Sequence, residues 1–376
     1  MPKITKIVIT GGPCGGKSTG LSRIEKHFSG LGYHVMFVNE TATEMITGGA
    51  VPWIGKNVDF QTALLSIQRY KERIYADWAG HLENDKVLLV CDRGALDNKA
   101  YMSEDDFTAV LSALQTNEIE LRDNYDAVFH LTTAANGAEQ AYIMNKESNP
   151  ARTETPEKAR ELDDKLTSSW TGHPHLRVID NSTDFKTKIE RLISEIAGFI
   201  GAPEPFEIER KFLIEHPDLT AFEVMPNCSK VEIIQTYLLS ENSEEERRVR
   251  QRGKDGSYIF TETLKRRISD MRRVETERRL TQAEYLNLLM SADTSLNQIR
   301  KTRYCLSYAN QYLEIDVYPF WDKCAILEVE LSDETQKIDF PEFIKVIEEV
   351  TNNSSYTNRA MAEIIPNEPR NVKEKQ

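Results

Sequence analysis

The hydrophobic pattern changes period near the middle of the chain, and that change divides it in two. Over residues 1–200, short solid apolar runs alternate with helical patterns. Residues 4–10, 34–39, 86–91, 127–132 and 177–180 read as strands, and 17–31, 59–83 and 186–200 as helices. Val87-Leu88-Leu89-Val90-Cys91 is apolar at every position, as a strand buried on both faces requires. Strands alternating with helices predict a parallel sheet with helices on both faces, an α/β domain. At Gly201-Ala-Pro203-Glu-Pro205 the helical pattern stops, and short segments of period two take over. They predict an antiparallel β domain over 204–365, followed by a flexible polar tail over 366–376.

Composition agrees with two cores. A chain of 376 residues, 40% hydrophobic and 28% charged, is of ordinary globular make-up and too long for one core. The N-terminus runs straight into a strand and a glycine loop, and the longest apolar runs are strand length, so no signal peptide or transmembrane segment is expected. Five scattered cysteines without CxxC spacing argue against a disulfide framework or a zinc site and for a cytoplasmic setting. The formal charge of −13 argues against general nucleic-acid binding, yet a few cations inside a cleft still bind a small polyanion. Monomer and homodimer both remain open.

The first candidate chemistry lies between the opening strand and helix. Gly11-Gly12-Pro13-Cys14-Gly15-Gly16-Lys17-Ser18-Thr19 fits the phosphate-loop pattern in its required strand–loop–helix context. Its backbone N–H groups would wrap a β-phosphate, with the helix N-terminus adding its dipole. Lys17 would reach the β- and γ-phosphates and Ser18 would ligate Mg²⁺. Asp92-Arg93-Gly94 follows a strand, where ligands of such sheets bind, and Glu40 ends another as a candidate base. Arg152 and Arg160 lie in a polar stretch that reads either as a lid or as a solvated helix.

These residues resemble P-loop kinases of the nucleoside-kinase and AAA-type small-kinase kind, over roughly 4–197, with Asn181 as a further anchor. The resemblance implies Glu40 as base, Asp92 and Arg93 as an acidic–arginine pair, and ATP or GTP as ligand. Gln61 and Gln68, on the long helix, are expected to face a base or other acceptor. Gly94 departs from the pattern, since nucleoside kinases usually carry Ser there.

The second domain shows a different signal. In Glu207-Ile-Glu209-Arg-Lys211 the three charged alternates share one face of a strand. Carboxylates ~6.5 Å apart repel by roughly 2.5 kcal/mol at an effective dielectric of ~20, so a cation between them or a wet face is required. The alternation recurs at Arg248/Arg250, Lys265, Arg273/Glu275/Glu277, Lys301/Arg303, Glu314/Asp316 and Glu328/Glu330, while Leu313, Ile315, Leu327 and Val329 take the opposite face. One such strand is a solvated sheet face; the whole series predicts a charged interior that holds metal and ligand. Carboxylates suit Mg²⁺ or Mn²⁺, and the bases suit phosphates.

This constellation resembles the CYTH, or triphosphate tunnel metalloenzyme, family over about 204–363, with Tyr356-x-Asn358 similar to its closing segment. The resemblance implies an eight-stranded β-tunnel. Glu207, Glu209, Glu328 and Glu330 would hold metal, with Asp316, Glu275 and Glu277 assisting. Arg248, Arg250, Lys265, Arg273, Lys301 and Arg303 would clamp a triphosphate, and Lys211 would position the attacking water. Such sites hydrolyse triphosphates or make cyclic AMP. The two-domain layout also resembles the TRPL translocation defect protein family, which implies a nucleotide-binding regulatory protein instead. The leading expectation is a bifunctional enzyme, a P-loop kinase-like domain joined to a metal-dependent triphosphatase.

Overall fold

A computed structural model describes residues 2–147, 155–201, 208–225, 227–240, 245–269, 272–331 and 336–368. The chain divides into two compact units, 1–208 and 209–376, apart from 309–312 and 332–334, which group with the first.

The first unit contains β1 (Lys3–Thr10), α1 (Lys17–Gly30), β2 (His34–Val38), α2 (Thr41–Thr47), α3 (Asn57–Ala79), β3 (Lys86–Asp92), α4 (Glu104–Ala113), α5 (Glu118–Arg122), β4 (Ala127–Leu131), α6 (Glu139–Glu147), α7 (Pro156–Trp170), β5 (Leu176–Ile179) and α8 (Phe185–Ile200). The sheet runs β2-β3-β1-β4-β5, and its pairings are parallel. In α8, Ile189, Leu192, Ile193, Ile196 and Ile200 recur at helical spacing, and they pack with Ile24 and Phe28 of α1 on Ile7, Ile9, Val90 and Phe129. Each such side chain removed from water contributes about 1.5–3 kcal/mol. Asp184 starts α8 by accepting the N–H of Lys186 and of Thr187, and Gly201 (φ 75°) ends it. Val8, alternate to Ile7 and Ile9, instead meets Gly94 and the Trp170 ring of α7. Helices therefore cover both faces, and β1 delivers the glycine loop where its neighbours β3 and β4 diverge.

The second unit contains β6 (Ile208–Glu215), α9 (Leu219–Glu223), β7 (Cys228–Leu238), β8 (Glu245–Lys254), β9 (Ser257–Ser269), β10 (Arg272–Leu280), α10 (Gln282–Leu289), β11 (Ile299–Tyr308), β12 (Gln311–Val317), β13 (Cys324–Leu331), β14 (Val346–Glu349) and α11 (Asn358–Glu363). Its strands form one sheet in the order β10-β9-β8-β7-β11-β12-β13-β6-β14. Among the described residues that is nine strands, one more than expected; β14 is a short, largely exposed edge without the alternation that marks the others. Two-residue turns with positive φ, Asp255-Gly256 and Ala309-Asn310, set the registers of β8–β9 and β11–β12. Among the described residues no helix is long and apolar enough to cross a membrane.

Candidate functional site

In the first unit the glycine loop wraps closely over the end of β4. A Cβ on Gly11 or Gly15 would lie 2.1 or 2.5 Å from the Leu131 carbonyl oxygen, so no other residue fits at either position. Gly11 and Gly16 also hold φ of 136° and 102°, and Cys14 of 59°. Lys17 turns its ammonium back to the Gly11 carbonyl at 3.2 Å. Burial lowers its pKa to about 8, with Arg93 adding to the fall and Asp92 and Glu40 opposing it.

Arg93, at positive φ (68°), donates through Nε to Glu40, whose other oxygen accepts from Thr43 Oγ1 at 2.7 Å. Burial pushes the Glu40 carboxyl up, but Arg93 and Thr43 outweigh it and hold it below its usual value. Burial raises Asp92, with Lys17 partly offsetting. Asp92 Oδ1, Arg93 Nη1 and Gln61 Oε1 are buried polar atoms without a hydrogen-bond partner. Lys17, Glu40, Asp92 and Arg93 thus form one electrostatic cluster.

Of the other expected residues, Gln68 alone touches that cluster among the described contacts. Gln68 does not present its amide to an acceptor: its Nε2 donates to the Arg93 carbonyl at 3.3 Å, and its Oε1 accepts from Asn98 at 3.0 Å. Asn181 donates to the Thr133 and Asn136 carbonyls and accepts from Lys188 Nζ at 2.7 Å, so it pins a loop. Arg160 donates to the Ala135 carbonyl at 2.6 Å. Arg152 lies outside the described residues. Gly94 is explained by packing, because a Cβ there would sit 2.5 Å from Trp170 Cζ2.

In the second unit the registers gather the charged alternates. Residues directly opposite in antiparallel pairs share a face. Arg248, Arg250 and Arg252 lie opposite Tyr237, Gln235 and Ile233 of β7 and, on the other side, Arg248 and Arg250 lie opposite Thr263 and Thr261 of β9. Lys301 and Arg303 lie opposite Ile233 and Val231, which puts them on that face too. Glu314 faces Glu328 across β12–β13. The ion pairs close the circuit. Arg303 donates to both oxygens of Asp316 at 2.6 Å, to Glu328 at 2.7 Å, and to Glu314. Lys301 reaches Asp316 at 2.5 Å, and Lys211 of β6 reaches Glu328 at 2.8 Å and Glu209 at 3.1 Å.

The face is thus divided, with cations along β8 and β11 and carboxylates along β12 and β13. Burial lowers Arg250, with Arg248 next in effect. Burial likewise raises Glu314, and its Oε1 has no hydrogen-bond partner. Burial opposes ionisation of Glu328, yet Arg303, Lys301 and Lys211 drive it far below a normal carboxylate. Lys211 is desolvated too, but Glu328 and Glu209 raise it well above a normal lysine, so it stays charged. The charged face is not uniform: Tyr237, Ile299, Tyr318 and Ile326 join Leu213, Trp321 and Met361 in an apolar cluster at one end.

Comparison with known proteins finds matches to parts of the chain. Residues 6–188 match a family described as an AAA domain. That match spans the glycine loop and the parallel sheet of the first unit. Among solved structures, two of NE1496 match at 29% identity over 43% of this chain. One, described as a hypothetical protein, is covered over 100% of its length at a TM-score of 0.33; the other, described as an inorganic triphosphatase, over 97% at 0.31. A protein from Hippeastrum, described as having a dominant triphosphatase activity, matches at 13% identity over 34% of this chain and 80% of its own, with a TM-score of 0.23. No curated protein matches the chain.

Some functional residues escaped the sequence reading. In the first unit, Asp97 accepts from Thr10 Oγ1 at 2.6 Å, Gly94 N–H at 3.0 Å and Trp170 Nε1 at 2.8 Å, and so fixes the turn after Arg93. Asp163 accepts the Gly12 N–H. Neither has a local signature. Arg252 does: it extends the Arg248-x-Arg250 alternation by one step. Glu207 and the side chains of Arg273 and Glu275 lie outside what is described; Glu277 accepts from Thr263 at 3.0 Å, while Lys265 lies opposite Glu275. Among the described residues no three of His, Cys, Asp and Glu form a group able to hold a metal. Glu209 and Glu328, however, already converge from two strands on the single ammonium of Lys211, the donor chemistry a hard divalent cation uses.

Proposed function

We propose that this chain is a two-site phosphate enzyme, with an ATP- or GTP-binding P-loop domain followed by a Mg²⁺- or Mn²⁺-dependent triphosphatase domain. The observation that carries the second assignment is the division of one largely buried sheet face into a cationic wall, Arg248, Arg250 and Arg252, and an anionic one, Glu314, Asp316 and Glu328. A metal–triphosphate complex has the complementary division. Glu209 and Glu328 would hold the ion, and Arg303 and Lys211, which now pair with these carboxylates, would then meet phosphate oxygens.

Glu209 and Glu328, with Glu207 and Glu330 at the alternate positions, are the metal ligands of this reading. When bound, the ion polarises phosphoryl oxygens and the attacking water. Arg248, Arg250, Lys301 and Arg303 offset charge on the leaving group, with Lys265 and Arg273 extending the clamp. Lys211, which lies between Glu209 and Glu328, orients the attacking water in this reading.

In the first unit, Lys17 and the glycine loop hold nucleotide phosphates, Ser18 takes Mg²⁺, and Glu40 is ionised and placed by Arg93 to accept a proton from an acceptor hydroxyl. The test is orthophosphate release from tripolyphosphate, pyrophosphate, thiamine triphosphate and nucleoside triphosphates by the full chain, with and without Mg²⁺ or Mn²⁺. Release from none of them with either metal would refute a hydrolytic tunnel and leave a binding protein.

A further inference from the structure

The phosphate loop is gripped from behind by one carboxylate. Asp163 of α7 is 4% exposed. Its Oδ1 accepts the Gly12 N–H at 2.7 Å and meets His130 Nε2 at 3.0 Å, and its Oδ2 accepts the Thr133 N–H at 3.2 Å. Thr133 in turn donates through Oγ1 to the Pro13 carbonyl at 2.5 Å. Two successive residues of the loop, Gly12 through its N–H and Pro13 through its C=O, are therefore tied to α7 and to the end of β4. A Cβ on Gly12 would lie 2.6 Å from Asp163 Oδ1, so glycine at this position fits the carboxylate behind the loop. The same helix holds the next loop through Arg160 and the Ala135 carbonyl, and Thr167 Oγ1 meets His130 Nε2 at 3.0 Å.

A buried carboxylate is costly, and burial does push this one upward. His130 and the two N–H donors nevertheless hold it ionised, below the usual aspartate value. An anion kept behind a loop whose ligand is also anionic needs a compensating role. The loop supplies one: four of its glycines, at 11, 12, 15 and 16, leave it conformationally free, and free loops lose entropy on binding.

We propose that Asp163 is a positioning residue for the nucleotide phosphates, which through Gly12 and Thr133 holds the loop in its phosphate-accepting form before the ligand arrives. The inference rests on the reading of residues 11–19 as a nucleotide site. It predicts that the carboxylate acts on the β-phosphate, which such a loop encloses, and not on the remainder of the nucleotide.

The experiment titrates the full chain with Mg²⁺ complexes of ATP, ADP and AMP and of the guanine series, in wild type, Asp163→Ala, Asp163→Asn and Lys17→Ala. Asp163→Ala is expected to weaken tri- and diphosphate binding about tenfold or more and to leave the monophosphates unchanged. Asp163→Asn keeps one acceptor oxygen and recovers part of the loss. If the alanine variant does not fold, Asp163→Asn and Thr133→Val, which removes the Pro13 contact together with the acceptor of the Ala135 N–H, take its place. Wild-type triphosphate affinity in folded Asp163→Ala, or in both substitutes, would overturn the inference. An equal loss for monophosphates would also overturn it, because that is a general defect of the fold. Unchanged affinity in Lys17→Ala would instead refute the nucleotide site itself.

Discussion

Lys301 and Asp316 meet at 2.5 Å with their side chains 4% and 0% exposed, and Arg303 binds the same carboxylate through both of its oxygens. One buried anion thus serves two cations, of which Arg303 also pairs with Glu314 and Glu328. Asp316→Ala leaves both with a partner missing, and breaking such a pair costs about 3–5 kcal/mol. Thermal unfolding should show a loss of that size. A change under about 1 kcal/mol would mean that water replaces the carboxylate.

Replacing Glu207 and Glu209 together with Ala should abolish metal-dependent phosphate release from tripolyphosphate. Retention of wild-type release by this double variant would place the active site elsewhere.

Lys17→Ala should weaken nucleotide binding while tripolyphosphate turnover stays at the wild-type rate. Parallel loss of both activities would show that the two sites are coupled.

The depressed pKa of Lys17 gives nucleotide binding a pH dependence. Phosphate binds the charged ammonium, which persists below about 8 in the free protein. As pH rises through that value, binding must take up a proton, and affinity falls toward about tenfold per pH unit. Titrations at pH 7, 8 and 9 measure this, and Lys17→Arg should flatten the curve. A flat wild-type curve would show that the ammonium is not what the phosphates meet.

Gly94→Ser restores the residue common in nucleoside kinases but drives a side chain into Trp170 and Val8. Overpacking of this kind costs about 1–3 kcal/mol. Chemical denaturation should reveal it, and unaltered stability would show that Trp170 moves aside freely.

The two architectures were legible because they repeat locally. A solid apolar run marks β3, and strict alternation marks β12 and β13, where Leu313, Ile315, Leu327 and Val329 are fully buried opposite the charged face. The phosphate loop and the charged alternates were legible for the same reason, since each is a short spacing. What lay beyond reach depends on distant contacts. Asp163 meets Gly12 across 151 positions, and Asp97 meets Thr10 across 87. Gln68 shares its helical face with other buried residues, and only the fold shows that it serves the Arg93 backbone. The apolar end of the charged face was equally hidden, because Ile299 and Ile326 acquire their side of the sheet from register alone.

The strand order carries a consequence for biosynthesis. β6 opens the second unit in sequence yet sits between β13 and β14, among the last strands to be made. Lys211 therefore waits for Glu328, 117 residues later, before its ammonium has that partner. A nascent chain that has made β6 through β12 possesses the cationic wall but cannot seat the strand that carries Glu209. The charge circuit of this unit is thus incomplete until β13 has been made, and truncation before β13 should yield a polypeptide in which Lys211 lacks Glu328.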